Sequence, residues 1–290
     1  MSSSKMLRLI LVQHPVGEVK EDNVTHVLSM IRKTVAEEKR TTVPILVVLP
    51  ELFNSPYGPQ FFDKYAEYVP DGYTSKALSG IAKELGIYII GGSYPERDAQ
   101  NPKTLYNTCT IWGPKGELLG KHRKLHLYDV EVPGKVSFKE SSAMTPGKNF
   151  TIVEIGPAKI GIGICFDVAH DEFSRIYRNE GCNFLVYPSA FPLYTGELHW
   201  EVYPRARATD FQCYVAMTSA TRDYTNSFVS WGYTILCDPY GQVMKKAGED
   251  EEIIKADLDF SVVDLWREQL PKFRKRRTDL YECTAKVPTK

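Results

Sequence analysis

Two spacings of apolar residues alternate along this chain. Nearly continuous apolar runs at 7–13 (LRLILVQ), 45–50 (ILVVLP), 87–93 (IYIIGGS), 184–190 (FLVYPSA) and 213–220 (CYVAMTSA) predict strands, ILVVLP reading as one buried on both faces. Between them the spacing is helical. In 23–39, Val24, Val27, Leu28, Ile31 and Val35 fall on one side, and 76–85, 171–180, 199–211 and 262–269 read as further helices. Gly86 and Gly181 stand where helices end, and Pro271 stops the last one. The rhythm changes at 104–124, where TLYNTCTIW, the turn GPKG and ELLGKHRK predict a β-hairpin. A second hairpin is predicted from 151–155 and 159–165, and a closing meander from 233–238, 242–246 and 253–258. Residues 125–149 are polar and without a period, and so long a loop in a compact domain is usually functional or disordered. With no repeat and no linker, the pattern predicts one α/β domain over residues 1–290, with mixed sheets and helices on the outer faces.

Composition narrows the function classes. The chain has 290 residues, with 36 basic and 36 acidic side chains in balance, which argues against nucleic acid or a charged membrane as partner. The one basic cluster, 272–277, reads as a solvated tail that packs at an interface. No apolar run approaches the roughly 20 residues of a spanning helix. The first residues lack a secretory cleavage pattern. None of the six cysteines forms a C-x-x-C pair, so a zinc ribbon or dithiol redox site is not expected. Free thiols are expected instead, and with them a cytoplasmic protein, a mitochondrial pool being compatible.

Three chemically capable residues follow apolar runs. Glu51 follows ILVVLP, Lys124 follows ELLGKHR, and Cys165 follows KIGIGI. In open α/β sheets, ligands bind at the carboxyl ends of strands. A thiol becomes a strong nucleophile on losing its proton. Glu51 is placed to accept that proton, and Lys124 to stabilise an oxyanion, with the Phe166 backbone N–H as a second donor. Each residue also has a plainer reading. Cys165 is then a packing residue, Glu51 a turn residue, and Lys124 part of the charge run Lys121, His122, Arg123, His126. A Cys–His dyad is another option, with His122, His126, His170 or His199 as partner. Neither H-x-x-x-H nor H-E-x-x-H occurs, so a metal site is not expected.

The segments together resemble a known family. LPELFNSPYG (49–58), GKHRKLHLYD (120–129) and GIGICFD (161–167) are similar, in order and spacing, to the three signature regions of the nitrilase, or carbon–nitrogen hydrolase, superfamily. IGGSYPE, YNTCTIW, VPGKVSFKES, LVYPSAF and RRTDLY extend the resemblance over nearly the whole chain, which is most similar to the eukaryotic ω-amidase branch. The resemblance implies a four-layer α-β-β-α sandwich and a catalytic triad of Glu51, Lys124 and Cys165. Glu140 is implied as a positioning glutamate. It further implies no cofactor, a small-molecule amide substrate of α-ketoglutaramate type, and a homodimer using outer helices and the tail at about 271–290. Tyr57, Phe166, His170, Phe191 and Arg205 are the expected substrate contacts.

The sequence departs from that branch beside the nucleophile. CFDVAHDEF stands where the branch reads C-Y-D-M-R-F-P/A-E, so Ala169 replaces an arginine and His170 a phenylalanine. Pro192, Glu197 and Phe211 are further departures. A guanidinium fork suited to a carboxylate is lost. The remaining cations expected to meet a substrate carboxylate are Arg205, Arg207, Arg222 and, when protonated, His170.

Overall fold

The computed structural model describes residues 5–38 and 42–289. In chain order the first strands and helices are β1 (Met6–Gln13), α1 (Lys20–Ala36), β2 (Ile45–Val48), α2 (Pro59–Tyr65), α3 (Tyr73–Leu85), β3 (Tyr88–Ile90), β4 (Tyr94–Arg97), β5 (Leu105–Trp112) and β6 (Leu118–Arg123). A small hairpin follows, β7 (Asp129–Val132) and β8 (Val136–Lys139). The second half contains β9 (Thr151–Ile155), β10 (Ala158–Ile162), α4 (Asp171–Asn179), β11 (Phe184–Pro188), α5 (Leu193–His199), α6 (Val202–Phe211) and β12 (Tyr214–Thr218). It closes with β13 (Ile235–Cys237), β14 (Val243–Lys246), β15 (Glu252–Asp259) and α7 (Ser261–Gln269).

Two sheets result. One runs β15-β1-β2-β3-β5-β4, with β6 also on β5; the other runs β14-β13-β12-β11-β10-β9. β1, β2 and β3 are parallel, as are β10, β11 and β12. Strand alternation sorts the side chains into layers. Leu7, Leu9 and Leu11 turn inward and share a core with Ile160, Ile162 and Val186 of the second sheet. Ile10 and Val12 turn outward against Val24, Val27 and Ile31 of α1 and Leu78 and Ile81 of α3. On the far side, Tyr187 packs with α4, its hydroxyl 2.8 Å from Ser174 Oγ. This is the four-layer α-β-β-α sandwich. A Cβ on Gly161 would lie 2.5 Å from the Tyr177 ring, and one on Gly163 2.5 Å from Tyr187. The glycines of GIGIC therefore let α4 close onto the strand that leads to Cys165.

The periodicity reading requires four corrections. Only 88–90 of IYIIGGS is strand, β3, which ends at Gly91–Gly92, and a separate strand, β4, begins after it at Tyr94. The polar stretch 125–149 is not structureless, for it contains the β7–β8 hairpin and a 3-10 turn, Glu140–Ser142. The predicted helix 199–211 is two helices, α5 and α6, with α5 beginning six residues earlier. The last predicted meander strand leaves its neighbours and pairs antiparallel with β1 across its full length. Local spacing does not specify which sheet a strand joins. The helix predicted over 23–39 is α1; position 39 lies outside the described residues.

Candidate active site

Glu51, Lys124 and Cys165 each leave the carboxyl end of a strand, and their turns are held by different means. Glu51 sits in a turn beyond β2. That turn is pinned by Ser93 N on Pro50 O (3.0 Å), Leu52 N on Ser93 Oγ (3.0 Å) and Phe53 N on Ser93 O (3.2 Å). The approach requires glycine: a Cβ on Gly92 would fall 2.1 Å from Pro50 O, and Gly92 has φ +56°. Lys124 follows β6, its N–H bonded to Asn107 O (2.9 Å) and its carbonyl to Gly147 N (2.8 Å). Glu140 is delivered by the β7–β8 hairpin, its N–H on Tyr128 O at 3.1 Å.

These side chains meet in one buried network. Lys124 Nζ donates to Glu51 Oε1 at 2.9 Å and to Glu140 Oε2 at 2.8 Å, with all three side chains inaccessible to solvent. Asn107 Nδ2 bridges the same carboxylates, at 2.8 Å from Glu51 Oε1 and 3.1 Å from Glu140 Oε1. Tyr128 N adds a 2.7 Å bond to Glu140 Oε2, and the Tyr57 hydroxyl stands 3.5 Å from Glu51 Oε1. Buried charges of this kind persist when paired and hydrogen-bonded. Burial alone would lower the Lys124 pKa, but Glu140 and Glu51 outweigh it and raise it well above the ordinary lysine value. Lys124 is therefore a cation. Burial raises the Glu51 pKa above its ordinary value, against the opposing pull of Lys124. Among the described residues its Oε2 has no hydrogen-bond partner, although the Cys165 thiol lies close enough to act on the carboxyl group.

Cys165 opens a 3-10 turn, Cys165–Ala169, in the left-handed backbone region (φ +47°). A non-glycine residue there carries strain that surrounding contacts must hold. Asp167 holds it, as a residue that sequence reasoning missed. Its Oδ2 accepts Ile164 N (2.9 Å) and faces His122 Nε2 (3.4 Å). Its Oδ1 meets His126 N (2.9 Å) and His126 Nδ1 (2.7 Å). These partners outweigh burial and hold the Asp167 pKa well below the usual carboxylate range. Cys165 Sγ points its proton toward Ala190 O at 3.9 Å. Burial, then the nearby Glu51 charge, raises its pKa well above the ordinary thiol value, so the resting group is a thiol.

Two cavities flank Ala190. One, of about 350 Å³, is walled by Tyr128, Cys165, Phe166, Phe191, His199 and Tyr203, among others. The other, of about 30 Å³, reaches Glu51 and Tyr57 and is lined by apolar side chains such as Leu52 and Phe228 together with small polar ones such as Ser55 and Ser230. Tyr57, Phe166 and Phe191 are thus brought to the site. Arg205 and His170 are not. Arg205 Nε donates to Gly241 O (3.0 Å) and its guanidinium pairs with Glu201, away from both cavities. His170 stacks on His126 (centroids 3.7 Å apart, 13°), with Nδ1 on Phe166 O; burial and His126 lower its pKa, the opposite of what a replacement cation needs. Arg207 caps the carbonyls of Val168 and Ala169, and Arg222 pairs with Glu249 and Trp231 O. Asn107 had one signal in the sequence, a polar side chain inside the apolar strand β5. Asp167 and Ala190 had none, because their roles depend on contacts distant along the chain.

The carbon–nitrogen hydrolase family model matches residues 8–268. The chain is 45% identical to human Omega-amidase NIT2 over 281 residues, covering 97% of this chain and 99% of the relative. It is 47% identical to the Xenopus tropicalis Omega-amidase NIT2, covering 96% and 98%. Among solved structures it is similar to Saccharomyces cerevisiae Nit3, a member of branch 10 of the nitrilase superfamily. That match has a TM-score of 0.85, 36% identity, and coverage of 95% of this chain and 98% of that one. The Caenorhabditis elegans NitFhit protein aligns with TM-score 0.86 and 30% identity, covering 97% of this chain and 67% of that one.

Proposed function

The chain belongs to the carbon–nitrogen hydrolase family, and from that premise we propose that it is an ω-amidase with Cys165, Lys124 and Glu51 as its reacting groups. It is a hydrolase of carbon–nitrogen bonds other than peptide bonds, and its substrate is a small carboxylate-bearing amide of the α-ketoglutaramate or α-ketosuccinamate type. The observation that supports the residue assignment is a cationic lysine bridging two buried carboxylates beside a thiol that lines an open cavity.

The steps follow from the proton positions. Cys165 Sγ attacks the amide carbon as its proton passes to Glu51, whose raised pKa suits it to take a proton near neutral pH. Lys124 Nζ stabilises the negative oxygen of the tetrahedral intermediate, and removing one such donor typically costs about 10²–10³ in kcat. Glu51 returns the proton to the departing nitrogen, the C–N bond breaks, and ammonia leaves a thioester on Cys165. Glu51 then takes a proton from water, whose oxygen attacks the thioester carbonyl; the C–S bond breaks, the carboxylic acid departs, and Glu51 hands its proton to the leaving sulfur, restoring the thiol. Glu140 and Asn107 hold Lys124 and Glu51 in register throughout.

The test is ammonia release from α-ketoglutaramate by the purified protein, with Cys165→Ala as control. Release that persists undiminished in the variant would sink the nucleophile assignment. A second reading, an amidase for neutral aliphatic amides, draws on the apolar aromatic wall of the larger cavity. We propose also that the protein is a cytoplasmic homodimer, in keeping with six free cysteines and the exposed apolar side chains Leu265, Leu270, Leu280 and Tyr281 on α7 and the tail. A monomeric mass by light scattering would exclude the dimer. Among the described residues no helix is long and apolar enough to cross a membrane.

A further inference from the structure

An ω-amide substrate of the proposed type carries a carboxylate, and a carboxylate taken out of water needs a cation or several donors. The four side chains expected to meet it are engaged elsewhere. Arg205, Arg207 and Arg222 hold backbone carbonyls or surface acids, and His170 stacks on His126. Among the described residues no lysine or arginine lines either cavity that flanks Ala190. One basic side chain does: His199, the last residue of α5, on the same cavity as Cys165.

Three features suit His199 to a ligand rather than to the fold. Among the described residues neither ring nitrogen has a hydrogen-bond or ion-pair partner. The ring is set by stacking on Tyr203 (centroids 5.1 Å apart, 28°), which fixes its plane and leaves both nitrogens open. Neutral donors stand on the same wall, where Tyr128 OH and Thr195 Oγ1 lie 3.4 Å apart. The cavity's one acid, Asp129, is itself occupied by Ser141 N at 3.0 Å and Ser141 Oγ at 2.5 Å.

We propose that His199 is the carboxylate anchor of this site, so that the amide end of the substrate meets Cys165 while its acid end meets the imidazole. The assignment rests on the ω-amidase reading above. It differs from a guanidinium fork in kind, because an imidazole ring presents one N–H to the carboxylate where arginine presents two in parallel.

The experiment compares wild type, His199→Leu and His199→Arg on α-ketoglutaramate and on a neutral amide of the same chain length. The quantity read is the ratio of kcat/KM for the acid amide over the neutral one. His199→Leu should lower that ratio at least tenfold, through KM on the acid substrate, and His199→Arg should restore most of it. An unchanged ratio in His199→Leu overturns the proposal, including when both substrates slow together, since a merely structural role slows both. Calorimetric binding of α-ketoglutarate to Cys165→Ala protein, with and without His199→Leu, reads the same contact without turnover. A wild type that hydrolyses only the neutral amide defeats the ω-amidase reading, and the binding comparison still decides on His199: affinity unchanged by His199→Leu overturns the anchor, and affinity lost supports it.

Discussion

Glu51 and Asp167 are both fully buried carboxylates within a few residues of the reacting centre or its turn, and their proton affinities are displaced in opposite directions. The difference lies in their donors. Asp167 receives two backbone N–H groups and two histidine nitrogens, spread over both of its oxygens. Glu51 has its polar partners gathered on Oε1, while Oε2 has none among the described residues. Hydrogen bonds to the charged form lower a carboxyl pKa and desolvation raises it. A saturated carboxylate is suited to a structural part, and one with an unpartnered oxygen to exchanging a proton. Asp167 ties the turn of Cys165 through Ile164 N, and Glu51 is the acid we propose as the base.

Exchanging each acid for its amide separates the two roles. Glu51→Gln should lower kcat by about 10²–10⁴, the usual contribution of a general base. Its melting temperature should not fall, because the charged form is disfavoured by burial and Lys124 keeps Glu140. A melting temperature several degrees lower would make Glu51 structural and break the contrast.

Asp167→Asn should do the reverse. Removing one partner of a buried charged network costs about 3–5 kcal/mol, read as a lower denaturant midpoint. Activity per folded molecule should suffer less than in Glu51→Gln. The sign with pH follows from the shift. Asp167 has a depressed folded pKa, so its contribution is complete above its ordinary value near 3.8 and is lost as pH falls through the folded value. The variant's stability curve should then have a shallower acid limb than the wild type's, which keeps the contributions of other depressed acids such as Glu96 and Asp98. An identical acid limb in both proteins would remove Asp167 from that role.

The smallest effect concerns the wild type alone. Glu51 must be ionised to accept the thiol proton, and its pKa is raised, so kcat/KM should fall on the acid side at a pH above 4.5. The same raised value means that Glu51 favours the fold most when protonated and loses that contribution as pH rises through its folded pKa. An acid limb at or below 4.5 in the pH–rate profile would contradict the burial argument.

Legibility in the sequence divides along the same line. The reacting set was readable because each member follows an apolar strand at a motif: Glu51 after ILVVLP, Lys124 in GKHRK, Cys165 in GIGIC. The layers were readable too, since β1 alternates Leu7, Leu9 and Leu11 against Ile10 and Val12. The hairpin that delivers Glu140 was not, because β7 and β8 are short and half exposed, with too few apolar positions to show a period. Nor was the partner of β15, for an edge strand's pattern is the same whichever sheet it closes.

The sequence by itself determined the family, and through that resemblance the reaction class and the four layers; it also offered Glu51, Lys124 and Cys165 as a set, which remains our proposal. Only the tertiary structure decided which cations are free to meet a substrate. An arginine's function depends on what it already touches, and Arg205, Arg207 and Arg222 each touch residues distant along the chain. Pair energies between side chains far apart in sequence have no trace in local pattern, so the sequence showed an arginine missing at Ala169 and offered His199 only as one of four histidines, without placing it on the cavity of Cys165.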